Sequence, residues 1–378
     1  MFFVTMTSIM SALGLYVCAR LIWPLPLYLW FRLVLCLVVL VCANKMSLMF
    51  WLLPSGRAME LSSEVLLVIC WLHLSVVVAA LVALAVDIAL LIAHMIGVPP
   101  VPAVWRCLVV GLCGLSLAGW GIHNAIKPPD LVRMDVPVRG LPQDLDGFTI
   151  GFLADIHLGS LFGRPWAQTI VDLTNAGQPD VIVIAGDIVD GSPEQLADMI
   201  VPLEDFRAPL GVYAIVGNHE YYAGLEAWRQ AFPEYGIHLL YNEHVAIPVG
   251  DAQLVFAGLT DRVTLRGYPG ERPDLAKALK GAPYGDKVVK VILEHQPGGA
   301  RDNAVHGMDI QLSGHTHGGL AQPLQPLVAR ANGGFVSGQY DVDGMRLIVT
   351  NGSGLWAGLP FRMGVPSQVI MLRLTPAP

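Results

Sequence analysis

The stretch from Val65 to Met95 carries one carboxylate, Asp87, and neither Lys nor Arg. Nothing else in the chain constrains the fold as much, because about 20 such apolar residues in a helix cross a hydrocarbon core of roughly 30 Å. Phe2–Leu21, Leu27–Cys42 and Val104–Ile122 read the same way, so residues 1–127 are expected to form an α-helical transmembrane bundle of about four helices. The first stretch lacks the basic start and small-residue cleavage site of a signal peptide. Val65–Met95 exceeds one straight span and should tilt, break or protrude. Its Asp87 is a candidate for function, although a carboxylate near the interface or paired with Arg106 or Arg32 is the favoured reading. Trp23, Trp30, Trp51, Trp105 and Trp120 fall near span ends, as an interfacial belt requires.

The two halves also differ in charge. A chain that is 54% hydrophobic and 14% charged is too apolar to be wholly soluble, and the excess lies before Pro128. Residues 1–127 hold six Lys/Arg against three Asp/Glu, a net +3, which leaves −10 for the remainder of a chain at −7. An acidic half of that kind disfavours binding to a phosphate backbone, so no nucleic-acid partner is expected. The six cysteines (Cys18, Cys36, Cys42, Cys70, Cys107 and Cys113) all lie in the apolar half, which excludes a disulfide framework or a thiolate zinc site elsewhere. With four spans, the N-terminus and the C-terminal half share a side. Lys45, Arg57, Lys127 and Arg133 flank it, against Arg20, Arg106 and Arg32 opposite. The positive-inside rule then predicts a multi-pass inner-membrane protein with a cytoplasmic catalytic half.

Residues 128–147, with Pro128, Pro129, Pro137, Gly140 and Pro142, read as a linker holding at most one edge strand. From residue 148 to 378 short apolar runs close on polar loops. Phe148–Ala154, Val181–Ala185 and Val212–Val216 read as strands, with helices at Pro165–Ala176 and Ser192–Ile200 between them. Ala252–Leu259, Val288–Leu293, Asp309–Ser313, Met345–Thr350 and Gln368–Leu372 add strands with fewer helices. The expected catalytic domain is an α/β two-sheet sandwich flanked by helices.

Three early strands each stop at metal-binding side chains. Phe148–Ala154 runs into Asp155-Ile156-His157, Val181–Ala185 into Gly186-Asp187, and Val212–Val216 into Gly217-Asn218-His219-Glu220. Alternation along an extended chain puts Asp155 and His157 on one side, able to face a single ion. Gly186 and Gly217 suit a backbone that turns tightly beside a bound group. A second cluster follows, with His295 after one strand and Gly314-His315-Thr316-His317 after another. Oxygen and imidazole donors without sulfur suit Mn, Fe or Zn. Seven donors exceed what one catalytic ion takes, which points to two divalent ions sharing a carboxylate. His238, His244 and His306 have no motif around them and read as structural or exposed.

Taken in order, these motifs resemble the calcineurin-like metallophosphoesterase superfamily, over roughly residue 148 to the C-terminus. Asp155-Ile156-His157-Leu158-Gly159, Gly186-Asp187-Ile188-Val189-Asp190-Gly191, Gly217-Asn218-His219-Glu220-Tyr221 and Gly352-Ser353-Gly354 with Pro360-Phe361-Arg362 are similar to its bacterial membrane-attached branch with a YkuE- or YaeI-like catalytic domain. Pro366-Ser367 stands where that branch usually has Pro-Glu. The resemblance implies that Asp155, His157 and His317 hold one ion, that Asn218, His295 and His315 hold the other, and that Asp187 bridges them. Mn is the expected metal, with Fe or Zn as alternatives. His219 is left to protonate the leaving oxygen or stabilise the transition state.

Asp190 and Glu220 read as residues that order the loops, and Arg362 as a bidentate ligand for a substrate phosphate or a surface ion-pair partner. The expected activity is hydrolysis of a phosphodiester or pyrophosphate bond, in a lipid-linked substrate reached from the bilayer. A soluble-nucleotide hydrolase that is merely anchored, or a non-catalytic scaffold, are the alternatives.

Overall fold

The computed structural model describes residues 2–52 and 61–377, so Arg57 lies outside the described residues. It divides into two compact units, Met1–Ile126 with Ala357–Phe361, and Lys127–Trp356 with Arg362–Pro378.

The first unit is helical. Helix α1, Phe2–Val17, continues as a π-helical turn over Cys18–Ile22. Helices α2, Leu29–Ala43, and α3, Lys45–Leu52, meet at a bend of 74°. Asn44 at the bend keeps its main-chain bond to the Leu40 carbonyl (3.1 Å), adds a side-chain amide bond to the same oxygen (2.9 Å) and accepts from Ser11 Oγ (3.0 Å). Helix α4, Ser63–Met95, runs unbroken for 33 residues, roughly 50 Å. It therefore does not break as one sequence alternative allowed. Helix α5 spans Ala103–Ala125. Three helices among the described residues are long and apolar enough to cross a membrane, and a fourth crossing requires the bent pair to count as one span. Asp87 is paired, but with Arg20 and not with Arg106 or Arg32: the guanidinium grips the carboxylate with two bonds of 2.6 Å, and Tyr16 adds a third.

The second unit holds twelve strands in two six-stranded sheets. They are β1 (Asp130–Val138), β2 (Thr149–Leu153), β3 (Val181–Ala185), β4 (Val212–Ile215), β5 (Ile237–Leu239), β6 (Glu243–Val249), β7 (Ala252–Gly258), β8 (Val288–Leu293), β9 (Ile310–Ser313), β10 (Gly338–Val342), β11 (Met345–Val349) and β12 (Gln368–Pro376). One sheet runs β1-β12-β2-β3-β4-β5 and the other β10-β11-β9-β8-β7-β6. Both are mixed: β2, β3, β4 and β5 pair parallel, while β12 meets β2 antiparallel. In the second sheet β7, β8 and β9 pair parallel between antiparallel edges.

Strand β3 is buried along its whole length, which is why it reads as an unbroken apolar run. Phe152, Val183 and Ile370 from the first sheet join Phe256, Val291 and Leu312 from the second in one core between them. Helices α6, Arg164–Ala176, and α7, Pro193–Ile200, fill the parallel crossovers. A Ser192/Gln195 capping box starts α7. Parallel pairing sends β2, β3 and β4 out of the sheet at the same end, and β8 and β9 likewise, so the polar groups after them converge.

Candidate metal centre

Three donor sets interlock at those strand ends. Asp155, His157 and His317 form one, His157, Asp187 and His219 a second, and Asp187, His295 and His315 a third, the atoms of each set lying within 4.8 Å of one another. His157 and Asp187 each belong to two sets, so the array is continuous. Asp187 Oδ2 lies 3.1 Å from His295 Nε2 and 3.7 Å from His157 Nε2, and Asp155 Oδ1 lies 3.8 Å from His317 Nε2.

The backbone is bent to achieve this. Asp155 (φ 53°), His157 (φ 51°), Asp187 (φ 53°), His315 (φ 70°) and His317 (φ 48°) all adopt the left-handed region that non-glycine residues avoid. Such strain persists where surrounding structure over-determines it, and it clusters at functional sites. The Glu220 carboxylate supplies part of that constraint. It accepts main-chain N–H groups of Gly217 (2.6 Å), Ile188 (2.7 Å), Asp187 (3.0 Å) and Val189 (3.1 Å), locking two ligand loops together. A side chain at Gly217 would collide with the Asp187 carboxylate, and one at Gly314 with that of Asp155.

Some donor atoms point at no protein partner. His157 Nε2 and Asn218 Oδ1 are buried without a hydrogen bond, and His295 Nε2 faces the Asp187 carboxylate (3.1 Å). Their opposite ring nitrogens are fixed: His157 Nδ1 bonds Asp190 Oδ1 (2.8 Å) and His295 Nδ1 bonds the Ala185 carbonyl (2.7 Å). Orphaned buried donors of this kind, oriented from behind, fit divalent ions. The electrostatics divide the imidazoles: burial would lower His295, but the Asp187 carboxylate raises it well above the usual range. Burial pushes His315 down to about 3 and His317 well below the usual imidazole range, keeping both neutral as ligation needs. Burial alone would raise Asp187, yet the imidazoles of His295, His219 and His157 hold its carboxyl well below the ordinary value.

His219 is only partly buried, with its side chain 21% exposed. Its Nδ1 bonds the same Asp190 oxygen (2.7 Å), and its main-chain N–H donates to Asp187 (2.8 Å). Burial would lower its pKa, but the Asp187 and Asp190 carboxylates prevail and raise it to about 9.

Asp155, His157, Asp187, Asn218, His219, His295, His315 and His317 therefore come together. Arg362 does not take the phosphate-binding place expected of it. It is fully buried, and its terminal nitrogens donate to the carbonyls of Asn351 (2.8 Å), Gly354 (3.0 Å), Val365 (3.2 Å) and His317 (3.4 Å), so it braces the loops behind the site. Trp356, whose ring lies 5.5 Å from that of His317, was not marked by any motif. His244 and His306 bond main-chain carbonyls of Ala278 and Asp302, apart from the cluster.

Comparison with known proteins accords with this geometry. A family model described as calcineurin-like phosphoesterase matches residues 148–319. A transmembrane protein with metallophosphoesterase domain from Danio rerio is 36% identical over 269 residues, covering 69% of this chain and 61% of that one. An uncharacterized metallophosphoesterase of Helicobacter pylori is 31% identical over 69% of each chain. The Bacillus subtilis metallophosphoesterase YkuE is 26% identical over 68% of this chain and 90% of its own. The chain thus spans about three-fifths of the length of the vertebrate relatives it matches. With its motifs, its two mixed sheets and its clustered His and Asp donors, this chain belongs to the calcineurin-like metallophosphoesterase family.

Proposed function

We propose that the protein is a membrane-bound phosphohydrolase with two divalent ions, Mn by preference, that cleaves a phosphodiester or pyrophosphate bond in a lipid-linked substrate. The observation that carries this reading is the continuous donor array sharing His157 and Asp187. Asp155, His157 and His317 would hold one ion, Asn218, His295 and His315 the other, and Asp187 both. Such ions supply an acidified water as nucleophile near neutral pH and neutralise charge growing on the phosphoryl oxygens. His219, outside the ligand set, keeps a proton through neutral pH and gives it to the departing oxygen. Asp190 holds the His219 ring by Nδ1, leaving Nε2 for that transfer. Glu220 and Arg362 keep the ligand loops in their strained conformation.

Two features support a lipid-linked substrate at the inner membrane. One helix would suffice as an anchor, yet at least three are long and apolar enough to cross. Four residues, 126–129, separate α5 from β1, and two are prolines, so the tether is short. The test is to assay full-length protein in lipid, with Mn, on phosphate-containing lipids and on soluble nucleotides. Faster turnover of soluble nucleotides than of every lipid would leave the helices as an anchor only.

A further inference from the structure

One flank of the centre carries side chains that neither ligation nor proton transfer uses. His219 marks this as the leaving-group side. Its ring lies 5.5 Å from that of Tyr222, which lies 5.2 Å from Tyr268 in an edge contact. Both tyrosines are open, at 54% and 39% exposure, while Tyr221 beside them is buried. Tyr268 follows the turn Arg262–Arg266, reversed by Gly267 at φ 91°.

Arg266 on that turn is exposed but tethered. Its Nη2 donates to Gln296 Oε1 (3.3 Å), and Gln296 Nε2 donates to both oxygens of Asp261 (2.8 and 3.1 Å). Asp261 and Gln296 are buried, and Gln296 directly follows the candidate ligand His295. A surface arginine kept only for solubility needs no buried amide and carboxylate to orient it. A planar cation and two open rings together suit a ligand with an oxyanion next to a flat group.

We propose that Arg266, Tyr222 and Tyr268 select the leaving group, the guanidinium taking a second phosphoryl group and the tyrosines a flat ring joined to it. This rests on the phosphohydrolase reading and narrows it to a phosphoanhydride. Hydrolysis forms one O–P bond from water and breaks the bridging O–P bond. The departing phosphate oxygen takes the His219 proton, and water's proton leaves to solvent.

The experiment uses full-length protein with Mn and two soluble probes. A nucleoside diphosphate sugar offers both the second phosphate and a base, whereas bis(p-nitrophenyl) phosphate offers a flat ring alone. Arg266→Ala should lower kcat/KM on the first probe by about 10- to 100-fold, mainly through KM, and leave the second within about threefold. Arg266→Lys should recover part of the loss, and Tyr222→Leu with Tyr268→Leu should weaken both probes. Equal loss on both probes in Arg266→Ala, or none on the anhydride, overturns the assignment. A wild-type protein that cleaves the diester but not the anhydride also overturns it, while the phosphohydrolase reading stands. Wild-type protein with two ions bound and inert on both probes and on phosphate-containing lipids would overturn that reading and this assignment together.

Discussion

Asp190 Oδ1 accepts from two imidazoles at once, His157 at 2.8 Å and His219 at 2.7 Å, and so couples a proposed ligand to the proposed proton donor. Because a donor works only while protonated, activity should fall as pH rises through the His219 pKa, which Asp190 holds up. Asp190→Asn removes an anion that raises it, so the alkaline limb of the pH–rate profile should move to lower pH; an unmoved limb would detach Asp190 from proton transfer. His219→Ala should cost roughly 10²- to 10⁴-fold in kcat while metal analysis still finds both ions. Metal loss in step with activity would make His219 a ligand instead. Asp187→Asn should empty the site more than Asn218→Ala, since Asp187 lies in two donor sets and carries a charge that an amide lacks. The candidate donors were legible because strand-end motifs keep donor types at fixed spacings. Arg362 was misread because its burial among carbonyls depends on loops distant in sequence. Arg266, Tyr222 and Trp356 had no spacing to betray them.

The strands that went unread share one place: β1, β5, β6 and β10 are the four sheet edges. Of these, only β1 was glimpsed, inside the proline-rich segment. An edge strand is half open, so it carries polar residues and prolines such as Pro137 and Pro248, and the apolar run that identifies a central strand is missing. Central strands were placed within a residue or two, except that β12 extends beyond Leu372 to Pro376. In the helical unit, Leu27–Cys42 read as a simple span because hydropathy does not register the bend at Asn44. The Arg20–Asp87 pair joins α1's extension to α4. Removing one partner leaves a charge in an apolar bundle, so Arg20→Met or Asp87→Leu alone should destabilise more than the two together, with coupling of about 1 kcal/mol in a double-mutant cycle of unfolding. Additive effects would reduce the pair to a surface contact.

Sidedness belongs to the whole molecule. Four crossings place both termini on one face, three place them on opposite faces, and the α2–α3 bend decides between them. With four, the Lys/Arg distribution favours a cytoplasmic catalytic unit. Reporters active on one side only, fused before Met1 and after Pro378, should then give the same cytoplasmic reading, and discordant reporters would make the bent pair re-entrant. The donor array has a wider consequence. Asp155, His157, Asp187 and Asn218 follow strands of one sheet, whereas His295, His315 and His317 follow strands of the other. Ions held there are rivets through both leaves of the sandwich, and their loading and the domain's unfolding become one linked equilibrium. At free metal a thousandfold above its Kd, each ion adds about 4 kcal/mol that chelation withdraws, seen as a lower Tm and faster amide exchange at both sets of strand ends together. A cell starved of the metal would then hold less of this protein, and not merely a slower one.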